Sequence, residues 1–309
     1  MEGEYDIAVV GGGIAGLSAG LAAARLGRRA VVLTGGVLGG QLLSIERIDG
    51  YPGFPDGVPG YDLCPMAEEQ AAAAGADFAA TEATALAPAG GGWRLDTGEG
   101  PVAARGVVIA TGTHLRTLGV PGEERLFGRG VSHCASCDAP LLRGKPVVVV
   151  GGGDSAAQEA LTLAPHASSI TIVHRGAALS AQAAYRDRLS AQANVIVRFG
   201  AVVEEVLGAD GVTGVRVRDT ASGAAAEVAA AGVFVFVGLA PNTAFLDGRL
   251  ALDAAGRIVT DAALRTGLPG ISAAGTVRAG AAGRAAASAG DGVAAAVALD
   301  RFLGGGAWR

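Results

Sequence analysis

Two cysteines spaced three apart carry the most specific chemistry in the sequence. Cys134 and Cys137 lie in the segment Ser132–Asp138, and Asp138 directly follows the second of them. Two thiols at this spacing at the start of a helix can close a small disulfide ring, and the helix end lowers the pKa of one thiol, so that a thiolate can attack or leave at neutral pH. We therefore predict a redox-active pair, with Asp138 either a proton shuttle for the departing thiolate or an acid that suits the helix dipole.

A zinc site is the alternative for a Cys-x-x-Cys pair. A structural zinc needs four ligands, and the remaining Cys64 and the histidines at 114, 166 and 174 show no paired spacing. We therefore predict no metal. Cys64 itself lies in an apolar segment and is interpreted as a small buried residue. Three cysteines cannot form a disulfide framework, which favours an intracellular redox role for the pair.

A glycine-rich turn after an apolar run occurs twice in the sequence. Val9–Gly16 (VVGGGIAG) recurs as Val149–Ala156 (VVGGGDSA). In each copy we expect a tight turn between a strand and a helix, with the first N–H groups of the helix facing a pyrophosphate. Two nucleotide-binding units of one type are implied. The predicted contact residues are Gly11, Gly13, Ile14, Ala15 and Gly16 in the first copy and Gly151, Gly153, Asp154, Ser155 and Ala156 in the second.

The end of the second strand of each unit indicates which nucleotide it binds. An acidic residue about 20 positions after the first glycine usually binds the ribose hydroxyls, and neither copy has one. The first copy has Thr34-Gly35 at this place, and the second has His174-Arg175. A cation suits a 2′-phosphate better than a bare ribose, although Arg175 could also be a solvated loop charge. The second copy is therefore a candidate NADP site and the first a candidate flavin site.

The elements that must hold these residues follow an alternating pattern. Short β-branched runs bounded by glycine alternate with longer helical stretches, which predicts an α/β fold with parallel sheets and two Rossmann-like dinucleotide-binding domains. The predicted strands are Ile7–Val10, Ala30–Leu33, Val107–Ala110, Val147–Val150, Ile170–Val173, Val195–Phe199 and Gly232–Val237, and the predicted helices are Ala15–Leu26 and Ser155–Leu163.

Length and charge narrow the function classes. A chain of 309 residues has room for two domains. The net charge is -5 and no basic block occurs, so nucleic acid is not an expected partner. The longest uncharged run, Ile7–Ala24, follows an acidic flank and is broken by glycines, which argues against a signal peptide or a membrane span. We expect a soluble, cytoplasmic protein with no membrane partner.

The order of the motifs along the chain resembles that of the low-molecular-weight thioredoxin reductases, and the resemblance spans nearly the whole chain. The motifs are GGGIAG at 11–16, GGQL at 39–42, YPGFPDG at 51–57, ATG at 110–112, CASCD at 134–138, GGGDSA at 151–156, HR at 174–175 and GLAPNT at 238–243. The Cys pair lies in mid-chain and no long dimerisation domain is present, unlike in the larger glutathione-reductase branch.

The resemblance implies a domain layout and a reaction. A discontinuous FAD domain would comprise residues 1–117 and 246–309, and an NAD(P)H domain carrying the Cys pair, residues 118–245, would be inserted in it. The implied chemistry is hydride transfer from NADPH to FAD, reduction of a Cys134–Cys137 disulfide, and exchange with a disulfide of a thioredoxin-like partner, in a homodimer whose domains rotate. Further FAD contacts are implied at Gly40, Gln41, Leu42, Ala110, Thr111, Gly112, Gly275, Thr276, Ala285 and Ala286.

Four departures from the family pattern stand out. Where the family has His-Arg-Arg and a further Arg, this chain has His174-Arg175-Gly176 and Ser180. Fewer guanidinium groups mean a weak preference for NADPH over NADH. The family's Gly-Asp at the flavin ribitol is Gly275-Thr276, its Asn before the aromatic turn residue is Gly50, and its Arg-Gln-Ala at the isoalloxazine is Arg284–Ala286.

Two other functions fit the same residues. The first is a FAD-dependent dithiol oxidase that forms a disulfide in a small molecule or peptide and returns electrons to oxygen or a nicotinamide. Weakened NADPH binding favours this reading. The second is a flavin-binding sensor without turnover, which the presence of both cysteines, Asp138 and both glycine turns disfavours.

Overall fold

The computed structural model describes residues 4–308. The chain forms two compact units, one made of Met1–His114 with Ala240–Arg309 and the other of Leu115–Leu239. The divisions lie a few residues before the boundaries expected from the sequence, because the segment after Ala240 bonds within the first unit. There the Asn242 side chain donates to the Thr111 carbonyl oxygen at 2.8 Å, and the Thr111 hydroxyl donates to the Asn242 carbonyl oxygen at 2.8 Å.

The first unit contains a mixed seven-stranded sheet. Its strands run in the order β3-β2-β1-β6-β5-β4, with β17 paired to β6; β1, β2, β3, β6 and β17 pair in parallel, and β4 and β5 form an antiparallel hairpin beside β6. The strands are β1 (Tyr5–Val10), β2 (Ala30–Leu33), β3 (Asp77–Ala79), β4 (Ala83–Ala89), β5 (Gly92–Thr97), β6 (Val102–Ile109) and β17 (Ile271–Ala273), and the helices are α1 (Ile14–Arg25), α2 (Gly60–Ala73) and α6 (Ala285–Leu303).

Helices α1 and α6 approach each other closely in the first unit. Both are rich in Ala and Gly, and a Cβ at Gly292 of α6 would lie 2.0 Å from the Ala15 carbonyl oxygen of α1. Gly292 has no side chain, and this allows α6 to lie directly on the backbone at the start of α1. The C-terminal part of the chain thus supports the first glycine turn.

The second unit contains a parallel five-stranded sheet and an antiparallel three-stranded sheet. The parallel sheet has the order β11-β10-β9-β15-β8, and β12, β13 and β14 form the other. The elements are β8 (Val131–Ser132), α3 (Ala135–Asp138), β9 (Pro146–Val150), α4 (Asp154–Leu163), β10 (Ser169–Val173), α5 (Ala183–Ser190), β11 (Val195–Arg198), β12 (Ala201–Leu207), β13 (Gly214–Asp219), β14 (Ala225–Ala229) and β15 (Gly232–Val235), and short strands β7 (Thr113–Leu115) and β16 (Leu239–Pro241) occur where the chain passes between units.

The predicted α/β class is confirmed, and every predicted strand and helix is present, with ends that shift by one or two residues except at β6, which begins five residues earlier than predicted. The apolar strands are buried because helices and loops cover both faces of the parallel sheets. Within residues 4–308, no helix is both long and apolar enough to cross a bilayer.

Candidate functional site

The first glycine turn is shaped by close packing between β1, β6 and α1. Gly11 has a φ of 119°, and a Cβ there would lie 2.3 Å from the Ala110 carbonyl oxygen. A Cβ at Gly16 would lie 1.8 Å from the Gly11 carbonyl oxygen. Helix α1 follows Gly13 with no acid in its first turn, and no side chain in the described part of the chain caps it. Its first N–H groups are therefore oriented for an anion.

Hydrogen bonds between parallel strands gather the other predicted flavin-site segments at the same edge. The Gly11 N–H donates to the Leu33 carbonyl oxygen at 2.8 Å, and the Ala110 N–H to that of Val10 at 2.8 Å. The Ala274 N–H donates to the Ile109 carbonyl oxygen at 2.9 Å. The carboxyl ends of β1, β2, β6 and β17 therefore bring Gly11–Gly16, Ala110–Gly112 and Gly275-Thr276 together.

The GGQL segment joins this group through the backbone and one side chain. The Gly39 N–H donates to the Gly12 carbonyl oxygen at 2.8 Å, which fixes Gly40, Gln41 and Leu42 beside the turn. The Gln41 amide donates to the Thr113 backbone and, at 3.1 Å, to its hydroxyl. The Thr113 hydroxyl in turn lies 3.3 Å from that of Thr276. The hydroxyl that stands in place of the family's aspartate is thus part of a hydrogen-bond chain.

A partly buried ion pair that the sequence did not predict supports the Gly275 turn. Both carboxylate oxygens of Asp291 on α6 accept from Arg278, Oδ2 at 2.7 Å and Oδ1 at 2.9 Å. Asp291 Oδ2 also accepts the Gly275 N–H at 3.1 Å. The two side chains are 17% and 14% exposed, so the pair is shielded from solvent and fixes the turn that carries Thr276. Ala285 and Ala286 lie in the first turn of α6, and Ala285 packs near Ile14.

The second glycine turn is shaped by the loop that follows β10. Gly151 has a φ of 140°, and a Cβ at Gly152 would lie 2.3 Å from the His174 ring. The Gly152 carbonyl oxygen accepts the Ser180 N–H at 2.8 Å and the Ser180 hydroxyl at 3.1 Å. The Asp154 carboxylate accepts the backbone N–H of Gln182 at 2.7 Å and its side-chain amide at 3.1 Å. The loop is therefore fastened to both ends of the turn.

His174 and Arg175 differ in their surroundings. The His174 ring packs against Gly152 and Gly176, whereas Arg175 is exposed and makes no hydrogen bond or ion pair within residues 4–308. Its guanidinium is available to a ligand at the end of β10. Gly153 and Ser155 lie at the start of α4, and Ala156 is buried behind the turn.

Cys134 and Cys137 form a disulfide with a Cα–Cα distance of 5.4 Å. Cys134 is partly buried and Cys137 is exposed. Cys134 immediately precedes α3, and its sulfur accepts the Cys137 N–H at 3.3 Å. The pair follows the carboxyl end of β8, which lies at the same edge of the parallel sheet as the second glycine turn, because β8, β15 and β9 pair in parallel. One sheet edge thus carries the disulfide and a phosphate-type turn.

The groups around the disulfide have unequal exposure. Asp138 is partly buried at the end of α3. Burial lowers the pKa of His133, whose ring lies tilted against that of Phe127 with the centroids 5.4 Å apart, while the charge of Glu123 partly opposes this shift.

The third cysteine lies in the first unit. Burial raises the pKa of the Cys64 thiol to about 11, so Cys64 is not a thiolate at neutral pH.

The residues present fit the two dinucleotides that the sequence implies. In the first unit, Gly11 and Gly16 leave no room for side chains behind the turn, while a Cβ at Gly13 would meet no atom within 4 Å, so the front is open. In the second unit, a Cβ at Gly153 would lie 3.9 Å from the Ser180 hydroxyl, and the cation Arg175 lies at the strand end. An FAD pyrophosphate suits the first turn, and a pyridine nucleotide suits the second.

Comparison with known proteins agrees with this geometry. The sequence profile described as "Pyridine nucleotide-disulphide oxidoreductase" matches residues 5–293. The chain belongs to this family. Among its members, the protein named thioredoxin reductase of Treponema pallidum is 38% identical over 303 residues, which are 98% of this chain and 98% of that protein. The thioredoxin reductase of Listeria monocytogenes is 38% identical over 305 residues, 98% of this chain and 95% of that one.

Structural similarity within the pyridine nucleotide-disulphide oxidoreductase family covers both units. Thioredoxin reductase of T. acidophilum matches with a TM-score of 0.93 at 35% identity, over 97% of this chain and 99% of that chain. The Lactococcus lactis enzyme matches with a TM-score of 0.94 at 34% identity, over the same shares. The chain is a thioredoxin reductase-like, FAD-dependent thiol-disulfide oxidoreductase with two Rossmann-type domains and a pyridine nucleotide as its second cofactor.

Proposed function

We propose that this chain passes electrons from NADPH or NADH through FAD to the Cys134–Cys137 disulfide and from there to a disulfide of a thioredoxin-like protein. The proposal is carried by one observation, that a partly exposed disulfide and a phosphate-type turn share one edge of the second unit's sheet. The printed names of its relatives, thioredoxin reductase, favour a thioredoxin-like partner. The family resemblance leads us to propose a cytoplasmic homodimer as its working form.

Particular residues of this chain are assigned to binding each of the two cofactors. FAD, when bound, supplies a two-electron relay between a nicotinamide hydride and a disulfide. Gly11–Gly16 and Gly275-Thr276 hold it, with Gln41 fixing the hydroxyl of Thr276 through Thr113. The helix start at Asp154 and the guanidinium of Arg175 hold the pyridine nucleotide.

Thiol–disulfide exchange at the Cys pair completes the cycle. Once the pair is reduced to two thiols, one of them loses its proton and attacks a sulfur of the partner disulfide as a thiolate, which breaks the partner's S–S bond and forms a mixed disulfide. The second thiol then loses its proton and attacks that mixed disulfide, which restores the Cys134–Cys137 bond and releases the partner, whose two sulfurs take up protons, as a dithiol. Asp138, next to Cys137, would carry a proton to the departing thiolate.

The surface beside the disulfide suits a protein partner. Phe127, whose ring contacts that of the His133 that precedes Cys134, is 57% exposed, and Leu141, in the turn after α3, is 72% exposed. Exposed apolar side chains next to an exposed reactive sulfur are what a folded protein with its own disulfide would cover.

Three cysteine variants test the proposal. We expect Cys134→Ser and Cys137→Ser to lose turnover with a thioredoxin-like disulfide while the purified protein stays yellow with bound FAD. Cys64→Ala is the matched control and keeps its turnover, because its thiol is buried and protonated. Wild-type activity in either serine variant, or colourless protein that FAD cannot reconstitute, would contradict the proposal.

The dithiol oxidase remains the second candidate, because Arg175 alone offers a guanidinium where the family has several. An assay that supplies NADPH, NADH or oxygen as the only second substrate separates the two. Rapid flavin reduction by a pyridine nucleotide supports the reductase. Disulfide formation coupled only to oxygen supports the oxidase.

A further inference from the structure

Glu159 is a buried carboxylate placed against the first turn of the dithiol helix. It lies on α4 and is 8% exposed. Its Oε2 accepts the backbone N–H of Ala135 at 2.7 Å. Ala135 is the first residue of α3 and directly follows Cys134. The carboxylate therefore binds the helix at the residue next to a redox-active sulfur.

This bond connects the two functional parts of the second unit. Helix α3 follows β8, and α4 follows β9 through the second glycine turn. Since β8 and β9 end at the same edge of one sheet, α3 and α4 pack side by side, and Ala135 is fully buried between them. Glu159 is the side chain of α4 that holds the start of the dithiol helix.

An ionised carboxylate at this buried place would act electrostatically on the neighbouring thiol. A buried carboxylate is tolerated when it accepts strong hydrogen bonds, and a 2.7 Å bond from a backbone N–H is of that kind. A negative charge in a poorly solvated place opposes the formation of a second negative charge nearby. The N–H of Cys137, which points at the Cys134 sulfur at 3.3 Å, acts in the opposite direction.

We propose that Glu159 is a positioning residue that fixes the dithiol helix through the Ala135 amide and, by its charge, keeps the reduced Cys134 sulfur in its protonated form. The inference rests on the proposed function in that Cys134 is one of the redox sulfurs. Other titratable groups on the surrounding elements are Asp138 on α3, His133 before it and Asp154 on α4, with Glu123 acting on His133. None of these four residues is substituted in the test variants.

The test measures the Cys134 thiol directly rather than turnover. FAD-loaded Cys137→Ser protein is alkylated with iodoacetamide over a range of pH, and the Cys134 peptide is quantified by mass spectrometry. Cys64 stays silent because its pKa is about 11. Adding Glu159→Gln keeps an oxygen that can accept the Ala135 N–H but removes the charge. We expect the alkylation midpoint to fall by about one pH unit and the rate at pH 7 to rise about threefold, since the gain in thiolate outweighs its lower nucleophilicity.

A control variant separates this effect from net charge. Glu124→Gln makes the same chemical change on an exposed side chain of the same unit. We expect its midpoint to equal that of the Cys137→Ser parent. A midpoint unchanged by Glu159→Gln, or one shifted equally by Glu124→Gln, overturns the inference.

A second variant removes the donor of the same hydrogen bond instead of changing its acceptor. Ala135→Pro removes the N–H and leaves Glu159 in place. Proline is compatible with the first position of a helix, and Cys134 before it is extended, with φ -139° and ψ 102°. Since the carboxylate then loses the bond from this N–H while it keeps its charge, the charge is less well compensated and we expect the midpoint to rise. A fall overturns the inference, because it would mark a distortion of the turn. This readout is also independent of turnover: loss of partner reduction with the predicted midpoints would count against the proposed function alone.

Discussion

The two glycine-rich turns share one strand-turn-helix plan but achieve it by different means. In the first turn, the last glycine is indispensable, because a Cβ at Gly16 would lie 1.8 Å from the Gly11 carbonyl oxygen. In the second turn, Ala156 occupies the equivalent place and is 1% exposed. The first helix is thus pressed more closely onto its own turn. Backbone atoms limit the space behind the first turn, so a larger residue fits there only if β1 or α1 moves.

The residues around the two turns also differ in how firmly they are held in place. The first has no acid in its helix start and packs against the Gly275 turn, which the Asp291–Arg278 pair fixes. The second has Asp154 in its helix start, and that carboxylate is occupied by Gln182 in the loop after β10. The first turn is therefore determined by rigid neighbours and the second by a surface loop. We therefore expect that substitutions in this loop can change the nucleotide preference without disturbing the hydrophobic core.

The largest expected effect breaks the first turn and spares the second. Gly16→Ala places a Cβ 1.8 Å from a backbone oxygen, so we expect loss of bound FAD and a decrease of about 3 kcal/mol in the free energy of unfolding. The reciprocal change Ala156→Gly should cost about 1 kcal/mol and retain FAD. The flavin-to-protein absorbance ratio and urea unfolding measure both. A yellow Gly16→Ala protein of normal stability would show that the two turns are equivalent.

A smaller effect is expected from the ion pair that fixes the Gly275 turn beside the first glycine turn. Asp291→Asn removes the charge that binds Arg278 and weakens the acceptor of the Gly275 N–H. We expect the dissociation constant for FAD to rise about tenfold, as measured by fluorescence titration of the apoprotein. Asp300→Asn is the control, since Asp300 pairs with Arg28 at the other end of α6. Equal FAD affinity in the Asp291 variant and the Asp300 variant would remove the ion pair from the explanation.

The next prediction concerns nucleotide choice at the second turn. One partly solvated cation near a 2′-phosphate contributes about 1 kcal/mol, so flavin reduction by NADPH and NADH should differ by at most about tenfold. Anaerobic stopped-flow measurements with each nucleotide test this. Ser180→Arg adds a second guanidinium on the exposed loop and should increase the NADPH preference about tenfold further. A wild-type preference above a hundredfold would reveal phosphate-binding groups outside Arg175.

The smallest effect is expected in the loop itself. Gln182→Ala removes the side-chain amide that donates to Asp154 but keeps the backbone N–H. Because one exposed hydrogen bond is lost, we expect the KM for the pyridine nucleotide to rise about threefold with kcat unchanged. An effect larger than that of Asp291→Asn on FAD would reverse the contrast between a rigid first turn and a loop-shaped second turn.

Local pattern was sufficient for the longer parallel strands and the two turns, whereas the parallel strands β3, β8 and β17, of two or three residues each, were not predicted. Val147–Val150 and Ile170–Val173 are β-branched runs, and they form neighbouring strands in the middle of the second unit's parallel sheet. Helix α2 escaped prediction because Pro65 interrupts its helical pattern, and α6 because its Ala and Gly residues give little apolar periodicity. The β12–β14 meander was missed as well, since its strands are partly exposed and weakly patterned.

The supporting contacts of the site could not be predicted from local sequence. The Thr113–Thr276 contact joins positions 163 residues apart, and the Glu159–Ala135 bond joins positions 24 residues apart on different helices. No spacing rule links such pairs, because the topology alone decides that they meet. The glycines and cysteines were predictable since their function depends on their own type and immediate neighbours.

The split of the first unit has a consequence for biosynthesis. Strand β17 and helix α6, which complete its sheet and cover α1, lie in the last 70 residues, after the whole of the second unit. At about 5–20 residues per second, a ribosome makes the second unit available for folding several seconds before that segment emerges. The dithiol helix can therefore form while the FAD site is still incomplete. In an emerging chain the redox-active cysteines would precede the flavin that reduces them, and their first disulfide would depend on the redox state of the surroundings.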